Sequence, residues 1–409
     1  MRILFLSHYF PPEVNAPATR TFEHCREWVR AGHEVHVVTC VPSHPRGEPF
    51  AGFRRAWYVR ELQQGIHVHR VWTYLAPNRC VFRRTLNYLS FVPTAVLRAL
   101  RLGRFDVIVA TSPQFFCSVA GAVAGALSRT PWVFELRDLW PESVAAVGAV
   151  RTRVAVKLLE RLELALYRRS SLVVCLTHAF AENLTQRGIP AAKLALIPNG
   201  VLVGDFAPAE QRAARQRLGL PGEAVIASYV GTVGMAHGID TMLDAARSLS
   251  RDAPDVRLVV VGDGAELDAV RTRAGREGLN VEFTGQVARA RAIDYLAASD
   301  VSIVLLRRSP LFRMVLPSKL FEAMAAGKPV VLGVEGEAAS LLQAAGAGIA
   351  VEPQNPDALA SALATLARDA SLRQRLGERG RAYVRSEFDR RVLAGRYLTL
   401  LERIAAART

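Results

Sequence analysis

The stretch LPSKLFEAMAAGKPVV, residues Leu316–Val331, decides the fold of the second half of this chain. A loop that ends at Pro317 enters an amphipathic helix, and the turn Gly327-Lys328-Pro329 then leads into a buried strand. Helices that alternate with buried strands are typical of βαβ units in a parallel sheet. The free backbone amides at such a helix start are suited to an anion.

Further buried strands lie on both sides of this stretch. In the second half the predicted strands are AVIASYVG, VRLVVVGDG, VEFTG, VSIVLL, KPVVLG and GIAVEP. In the first half they are RILFLS, EVHVVT, IHVHRVWTY, DVIVATS, WVFELRD and LVVCLT. Amphipathic helices are predicted between them, for example over residues 19–30, and a last helix over residues 388–403. Both halves therefore read as Rossmann-like, doubly wound α/β domains.

The strand rhythm restarts near residues 198–206, and a chain of 409 residues is longer than one ordinary domain of about 100–200 residues. We expect a first domain over residues 1–203 and a second over residues 204–385. The segment 386–409 is expected to be a helix that packs back on the first domain.

The positive charge is concentrated in the first half. The chain has a formal net charge of +15, and residues 1–200 hold 25 Lys and Arg against 13 Asp and Glu. The remaining residues hold 27 against 24. A basic first domain suits an anionic surface, either phospholipid or nucleic acid.

Few features point to secretion or to a membrane span. The five cysteines are widely spaced and odd in number, which favours a reducing compartment over a disulfide framework. The apolar start Ile3–Leu6 is followed at once by His8 and reads as a strand, not a signal peptide. The apolar run Phe115–Leu127 is shorter than the ~20 residues of a membrane span, so a buried helix is expected there.

Three stretches together carry a family resemblance. They are LPSKLFEAMAAGKPVV, IPNGV at Ile197–Val201, and SYVGTVGMAHGID followed by LVVVGDGAEL. The combination resembles the family-4 retaining glycosyltransferases of GT-B fold, in which two Rossmann-like domains face each other across a cleft. HYFPPEVNAPATR and FELRDLWPES look most similar to the fucosamine-transferase-like branch.

The resemblance implies an enzyme that moves a hexosyl or N-acetylaminosugar group from a nucleotide-sugar, with UDP preferred, to a glycan acceptor. The acceptor is a polyprenyl-diphosphate-linked or other glycan in bacterial cell-surface polysaccharide biosynthesis, such as O-antigen or capsule. Transfer retains the anomeric configuration. The acceptor attacks on the leaving-group face and a β-phosphate oxygen takes its proton.

By resemblance, Glu322 binds the donor ribose, but other parts of the family pattern are missing. The glutamate expected eight residues earlier is Met314. The two basic residues that grip the diphosphate in relatives are replaced by Thr232 and His237. Arg313 or Lys319 is expected to supply that charge, because a leaving diphosphate needs a positive group or a helix dipole. Lys319 is accordingly a predicted catalytic residue.

The remaining predicted site residues surround the same diphosphate or the reacting sugar. Donor-binding residues are predicted at strand ends and helix starts: Asn15, Ala16, Gly231, Thr232, Gly234, Gly264, Arg313, Pro317, Ser318, Lys319 and Glu322. Asp138 follows the strand WVFELRD, where open sheets place ligands, and is predicted to be catalytic through contact with the acceptor hydroxyl or donor sugar.

Simpler interpretations stay open for several of these residues. Glu322 and Lys319 could be surface residues of a helix, Asp138 could cap a helix beginning near Pro141, and Asn199 could be a turn residue. Gly231, Gly262 and Gly264 could be ordinary strand-end turns, with Gly262 the strongest case.

No metal ion or cofactor is expected. The sequence contains no Asp-x-Asp triplet and no His/Asp cluster with metal-ligand spacing. His8, His36, His67 and His69 are interpreted as structural. Backbone amides, a helix dipole and basic side chains would then stabilise the leaving group.

A basic, aromatic-bearing region from Phe53 to Arg104 predicts the membrane-facing surface. It holds Arg54, Arg55, Trp57, Tyr58, Arg79, Phe82, Arg83, Arg84, Tyr88, Phe91, Arg98 and Arg101. Aromatic anchors combined with Arg suit an anionic lipid surface. We expect a cytoplasmic protein peripheral to the inner face of the bacterial cytoplasmic membrane; the alternative is a solvated face of an Arg-rich protein.

Three competing functions were weighed. Another GT-B activity is a sugar-nucleotide epimerase or a phosphorylase, although a phosphorylase would be longer and carry a pyridoxal-phosphate lysine. A basic nucleic-acid-binding protein is motivated by the pI of about 10.3, but no recognised nucleic-acid-binding motif is present, so no nucleic acid is expected. A nicotinamide-dependent oxidoreductase is disfavoured because the first βα turn lacks G-x-G-x-x-G.

Overall fold

The computed structural model describes residues 1–13, 15–43, 47–54, 56–76, 81–139, 153–206 and 211–407, with residues 81–82 and 153–155 described by their backbone alone. The chain forms two compact units. Unit 1 comprises Met1–Pro198 and Arg391–Thr409, and unit 2 comprises Asn199–Arg390. The boundaries expected from the sequence lay after residues 203 and 385.

Unit 1 contains an eight-stranded sheet in the described part of the chain. Its strands are β1 (Arg2–Leu6), β2 (Glu34–Cys40), β3 (Tyr58–Gln63), β4 (Ile66–Val71), β5 (Val107–Thr111), β6 (Trp132–Leu136), β7 (Leu172–Cys175) and β8 (Leu194–Leu196). The spatial order is β3-β4-β2-β1-β5-β6-β7-β8, and only β3 of these strands runs antiparallel, against β4. Described helices of unit 1 are α1 (Ala16–Arg30), α2 (Val81–Arg101), α3 (Phe115–Ser128), α4 (Arg153–Arg169) and α5 (His178–Gln186).

Unit 2 repeats the architecture with a parallel six-stranded sheet. Its strands are β9 (Val225–Val230), β10 (Val256–Val261), β11 (Val281–Gly285), β12 (Val301–Leu305), β13 (Val330–Gly333) and β14 (Gly348–Ala350), in the order β11-β10-β9-β12-β13-β14. Its described helices are α6 (Gln211–Leu218), α7 (Ile239–Asp252), α8 (Leu267–Arg276), α9 (Arg289–Ala298), α10 (Ser318–Ala325), α11 (Glu337–Ala345), α12 (Pro356–Arg368) and α13 (Ala370–Glu387).

The last helix, α14 (Arg390–Ala406), buries its apolar side chains in unit 1. Leu393, Tyr397 and Leu401 are buried in the same core cluster as Trp28 of α1. The Trp28 indole N–H also donates to the carbonyl of Ala394 over 3.0 Å. Because the buried residues of α14 recur every three or four positions, one face of the helix is apolar and packs as a unit.

The structure differs from the sequence-based elements mainly at their ends. Helix α1 begins at Ala16 instead of Thr19, because the Asn15 side chain accepts a hydrogen bond from the Ala18 amide and caps the helix. Strand β3 was not predicted; only alternate residues of it are exposed, so it lacks a continuous apolar run. The buried helix expected at Phe115–Leu127 is confirmed as α3. The helix considered near Pro141 lies outside the described residues.

Within the described part of the chain, no helix combines the length and the hydropathy that a bilayer crossing requires. The described cysteines Cys25, Cys40, Cys117 and Cys175 are buried free thiols.

Candidate active site

The site in unit 2 lies where the strand order of its sheet reverses. Strand β9 pairs with β10 on one side and with β12 on the other, so the connections leave it in opposite directions. Ligands of open parallel sheets bind at such a point, outside the carboxyl ends of the strands. The residues that follow β9 and β10 here are the predicted glycines Gly231 and Gly264, with Gly262 between the latter and β10.

These glycines let two loops pack backbone to backbone. A Cβ on Gly262 would lie 2.0 Å from the Gly231 carbonyl oxygen, and a Cβ on Gly264 would lie 2.2 Å from that of Val233. The amide of Val233 donates to the Asp263 carbonyl over 2.9 Å. The neighbouring backbone therefore leaves no room for a side chain at Gly262 or Gly264. An ordinary turn at a strand end would not require glycine this strictly.

Gly231 makes room for the side chain of Lys319. A Cβ on Gly231 would lie 2.3 Å from the Lys319 Cε, and the Gly231 φ of 142° is one that few other residues adopt. The Lys319 ammonium donates to the hydroxyl of Tyr229 and lies 4.1 Å from the centre of that ring. The Tyr229 hydroxyl in turn donates to the Thr232 carbonyl over 2.6 Å. Sequence reasoning missed Tyr229, because a tyrosine on a buried strand looks like a core residue.

Burial lowers the pKa values of two side chains in this cluster, Lys319 and His237. Desolvation lowers the pKa of Lys319 to about 7, with Glu322 acting in the opposite direction. Desolvation, followed by the charge of Lys319, lowers the pKa of His237 to about 4. His237, which the sequence resemblance predicted at the position of a family lysine, is therefore neutral at pH 7. Lys319, unlike His237, is still partly protonated near neutrality.

The start of helix α10 is open to a ligand. Pro317 occupies the N-cap position and provides no side-chain acceptor, so no side chain caps the first amides of the helix. Ser318 is exposed at the first helical position. Exposed amides at a helix start, combined with the helix dipole, favour an anion such as a phosphate.

Glu322 lies one turn into helix α10 and is partly exposed. One of its carboxylate oxygens is 3.6 Å from a guanidinium nitrogen of Arg289, which also contacts Asp205 over 3.3 Å. Desolvation raises the pKa of Glu322, and the charges of Arg289 and Lys319 oppose that rise. Arg289 was not predicted, because it lies on a different helix, α9, 33 residues earlier in the chain.

The other predicted donor-binding residues of unit 2 lie around this cluster or beside it. Thr232 is exposed directly after Gly231, and a Cβ on Gly234 would lie 3.6 Å from Nδ1 of His237. Arg313 belongs to a short 3₁₀ helix, Phe312–Met314, and its side chain is exposed. Its carbonyl oxygen would lie 2.2 Å from a Cβ on Gly336, so the main chain of Arg313 packs closely there. Of the two predicted charge donors, Lys319 is partly buried and Arg313 is exposed.

In unit 1 the sheet order reverses at β1, which pairs with β2 and with β5. Asn15 and Ala16 follow β1 at the start of helix α1. The side chain of Asn15 accepts from the Ala18 amide over 2.9 Å, so it is engaged as a helix cap. Ala16 is the first helical residue and is exposed.

Asp138 lies just beyond β6 with its side chain exposed, next to the buried Arg137. Desolvation raises the pKa of Asp138 and Arg137 opposes that rise. Arg137 itself has a pKa lowered by burial to about 10, and its guanidinium reaches the Pro17 carbonyl over 3.4 Å. The backbone amide of Arg137 donates to the Ser112 hydroxyl over 2.8 Å, which fixes the end of β6. Sequence reasoning did not single out Arg137.

A buried ion pair ties helix α1 to the end of unit 1. Nε of Arg20 donates to Glu135 over 3.0 Å. The other two nitrogens donate to the carbonyls of Ile197 and Pro198 over 2.8 and 2.6 Å. Arg20 therefore holds the IPNG segment in place, which gives Ile197 and Pro198 a structural role.

Three of the histidines interpreted above as structural, His36, His67 and His69, belong to one side-chain cluster. Glu34, His36 and His67 offer one ligand atom each within 4.8 Å of one another, and His36 also contacts His69. Spacing along the chain could not reveal this cluster, because its members come from two paired strands, β2 and β4. It lies near the amino ends of those strands, whereas the sites above follow carboxyl ends.

Comparison with known proteins identifies both halves. A family model described as "Glycosyl transferase 4-like domain" matches residues 15–200, and one described as "Glycosyl transferases group 1" matches residues 210–383. The putative colanic acid biosynthesis glycosyl transferase WcaI of Escherichia coli K12 is 26% identical over 378 residues, covering 89% of this chain and 91% of that protein. The probable glycosyltransferase WbjE of Pseudomonas aeruginosa is 26% identical over 291 residues, 69% of this chain and 71% of that protein.

Solved structures share the whole fold. Sucrose-phosphate synthase from Thermosynechococcus elongatus matches with a TM-score of 0.76 and 22% identity, covering 99% of each chain. The Anabaena protein HepE in complex with UDP-glucose matches with a TM-score of 0.72 and 22% identity, covering 98% of this chain and 99% of that one. The chain therefore belongs to the glycosyltransferases of GT-B fold, with a glycosyltransferase 4-like domain in its first half and a group 1 domain in its second.

Proposed function

We propose that the protein transfers a hexosyl or N-acetylaminosugar group from a UDP-linked donor to a polyprenyl-diphosphate-linked glycan, with retention of configuration. The relatives named for colanic acid biosynthesis in Escherichia coli and for lipopolysaccharide core biosynthesis in Rhizobium meliloti support a cell-surface polysaccharide as the product. The complex of HepE with UDP-glucose supports UDP as the nucleotide. The fucosamine-transferase-like branch is part of this proposal through the sequence resemblance.

The main support for the donor assignment is that Lys319 lies against Gly231 at the start of helix α10, which has no side-chain cap. A partly buried ammonium group and the amides of a helix start without a side-chain cap both attract a diphosphate. The pKa of Lys319, about 7 in the empty protein, would rise when a diphosphate binds beside it. Proton uptake by Lys319 would thus neutralise the leaving group without a metal ion.

The other site residues take roles that follow from their positions. Glu322, one helical turn after Ser318, would accept hydrogen bonds from the ribose hydroxyls. Thr232 and Gly234 would line the diphosphate with backbone amides. Asp138, exposed at the end of β6 in unit 1, would hold the acceptor hydroxyl, and a β-phosphate oxygen of the donor would take its proton.

We extend the proposal to an anionic membrane surface on the cytoplasmic side. Helix α2 exposes a row of apolar side chains at helical spacing: Leu86, Leu89, Leu97 and Leu100. Exposed arginines Arg83, Arg84 and Arg101 accompany that row. An apolar row beside Arg suits the headgroup region of an anionic bilayer. Arg55, Arg79 and the side chain of Phe82 lie outside the described residues.

Thermal-shift measurements against UDP, GDP, ADP and NAD test the donor. We expect UDP to raise the melting temperature most, since binding to the folded state alone stabilises it. Glu322→Ala should abolish that shift and keep the fold, while Glu282→Ala, an exposed glutamate of β11, should leave the shift unchanged. An unaltered shift in Glu322→Ala would remove Glu322 from the site.

Transfer itself is tested with UDP-sugars and a polyprenyl-diphosphate-linked glycan, reading product configuration by NMR. Donor turnover that needs no acceptor would favour the epimerase instead. For the membrane, sedimentation with anionic liposomes at low salt should retain the protein, and Leu89→Glu with Leu97→Glu should release it. Leu62→Glu, at an exposed leucine of β3, is the control. Failure of the unmodified protein to sediment would refute the membrane assignment.

A further inference from the structure

We propose that Glu34, His36 and His67 form a binding site for one divalent transition-metal ion, with Zn²⁺ as the best match. Two imidazole nitrogens and one carboxylate oxygen make up a ligand set that Zn²⁺ favours, with water in the fourth position. The three candidate ligand atoms lie within 4.8 Å of one another.

The ligand side chains must move to close around an ion, because their ligand atoms now lie within 4.8 Å of one another. Nε2 of His36 and Oε1 of Glu34 are 2.7 Å apart, whereas two ligands of a tetrahedral Zn²⁺ stand about 3.3 Å apart at bond lengths near 2.0–2.1 Å. The Glu34 side chain is 44% exposed and can move by that amount. The rings of His36 and His67 stack with their centres 4.7 Å apart and their planes at 26°, so one ring must turn before a nitrogen of each faces the same ion.

A second layer of contacts already orients the ligands. Nδ1 of His36 lies 3.0 Å from Nε2 of His69, and Nδ1 of His69 lies 2.9 Å from the Tyr58 hydroxyl. Without metal, the Glu34 carboxylate accepts the Nε2 proton of His36, so His69 donates to His36 and Tyr58 donates to His69. With metal on Nε2 of His36, the imidazoles of His36 and His69 each carry their proton on Nδ1 instead.

This exchange conserves the protons of the cluster. The Tyr58 hydroxyl, which is partly exposed, then accepts from His69 and donates to water. A metal-bound histidine normally donates its other N–H to a fixed acceptor, and His69 provides one here.

The neighbouring positive charges leave the ligand atoms accessible. Arg2 contacts Oε2 of Glu34 over 2.9 Å, so it can remain on that oxygen while Oε1 binds the ion. Nη2 of Arg60 is 3.5 Å from Nδ1 of His67, so coordination through Nε2, which puts the ring proton on Nδ1, requires Arg60 to turn away. Arg98 lies over the Tyr58 ring at 3.4 Å and faces the second layer only.

The proposed metal site is separate from the residues that we propose for sugar transfer. Glu34 and His36 stand near the amino end of β2, and His67 stands near the amino end of β4. An ion there would join β2 to the edge hairpin β3–β4, which pairs with β2 through β4. Its expected effect is a more stable unit 1, with no part in donor binding.

The test uses the full-length protein without a histidine tag, treated with EDTA and then titrated with Zn²⁺, or with Co²⁺ as a spectroscopic probe. We expect one ion per chain, a higher melting temperature and a tetrahedral Co²⁺ spectrum. Glu34→Gln and His67→Gln should each weaken binding by at least about 100-fold, and His69→Asn by about 10-fold through lost orientation. His33→Gln is the matched control, since His33 stands beside a different glutamate, Glu402, at 3.6 Å.

The melting temperatures of all variants in EDTA and their UDP-induced shifts show whether they remain folded. Absence of a retained ion in the unmodified protein would overturn the proposal. So would unchanged Zn²⁺ binding in folded His67→Gln, or loss of binding in His33→Gln. A normal UDP shift in the ligand variants keeps the metal site distinct from the donor site.

Discussion

The two units reverse their strand order in the same way but treat the adjoining helix start differently. In unit 2, helix α10 begins at Ser318 after the N-cap Pro317, which provides no side-chain cap, and the partly buried ammonium of Lys319 donates to Tyr229. In unit 1, the Asn15 side chain caps helix α1, and the buried Arg20 is paired with Glu135. One helix start is left open, and the other is closed by its own sequence.

That difference supports the proposal that the start of α10 binds a ligand and that the start of α1 is structural. The Lys319 ammonium is desolvated beside a helix start that has no side-chain cap, and this combination favours an anionic ligand. A capped helix start and a paired arginine are satisfied without any ligand. We therefore propose that the diphosphate binds to unit 2, and the predictions below test this contrast.

The largest effect is expected from Lys319→Met. Loss of the ammonium group should weaken UDP binding by about 100-fold, because a buried charge pair contributes roughly 2–5 kcal/mol. Without UDP, the variant should have a higher melting temperature, and its free energy of unfolding should rise by about 1–2 kcal/mol, because a desolvated charge has been removed. Isothermal titration calorimetry and thermal unfolding measure the two effects.

Lys328→Met is the matched control for that variant. Lys328 also lies in unit 2 with a pKa lowered by burial to about 8, but its ammonium donates to the Ala297 carbonyl over 2.7 Å. Its loss should cost about 1–3 kcal/mol of stability by leaving that carbonyl unpaired, with UDP affinity unchanged. Equal UDP affinity in Lys319→Met and the unmodified protein would contradict the contrast between the units.

Gly231→Ala should have the next largest effect. The new methyl would lie 2.3 Å from the Lys319 Cε, at a φ of 142°, so the lysine must move away. We expect UDP affinity to fall about 30-fold, equivalent to about 2 kcal/mol. Gly222→Ala, where a Cβ meets nothing within 4 Å, should bind as before. Comparable losses in both variants would indicate a general effect of alanine on unit 2.

The sequence was enough to predict the architecture, because buried strands and amphipathic helices have distinct periods. It predicted both Rossmann-like halves and placed Gly231, Lys319 and Glu322 near one another through the motif resemblance. Strand β3 was missed because its partly exposed residues resemble a loop.

Contacts between distant segments were beyond the sequence. Lys319 meets Tyr229 across 90 residues, and the cluster of Glu34, His36 and His67 depends on the register that pairs His36 with His67. The desolvation that lowers the pKa of Lys319 also arises only when the chain is folded. The choice between Lys319 and Arg313 as the charge donor therefore depended on how exposed each side chain is, which the residue types do not show.

The pH dependence of UDP binding should be smaller than the effect of Gly231→Ala. Since the pKa of Lys319 is lowered to about 7, the lysine is charged below that pH and neutral above it. Attraction for the diphosphate is thus present at pH 6 and lost as pH rises, which predicts about tenfold weaker binding at pH 8. His237, with its pKa near 4, stays neutral throughout. The Lys319→Arg variant keeps its positive charge over this pH range, so any pH dependence that it shows comes from ionisation of the phosphate. Identical pH profiles for the variant and the unmodified protein would rule out a contribution from titration of Lys319.

Asn15→Ala should have the smallest effect and bears on unit 1. Removing the cap of α1 should cost about 1 kcal/mol of unfolding free energy, while UDP affinity changes less than about twofold. Asn355→Ala provides a matched cap, since Asn355 accepts from the Ala358 amide over the same 2.9 Å as Asn15 does from Ala18. Equal stability losses with intact UDP binding would show that the side chain at the start of α1 is structural. A selective loss of UDP binding in Asn15→Ala would instead return this helix start to the donor site, and the contrast between the two units would no longer hold.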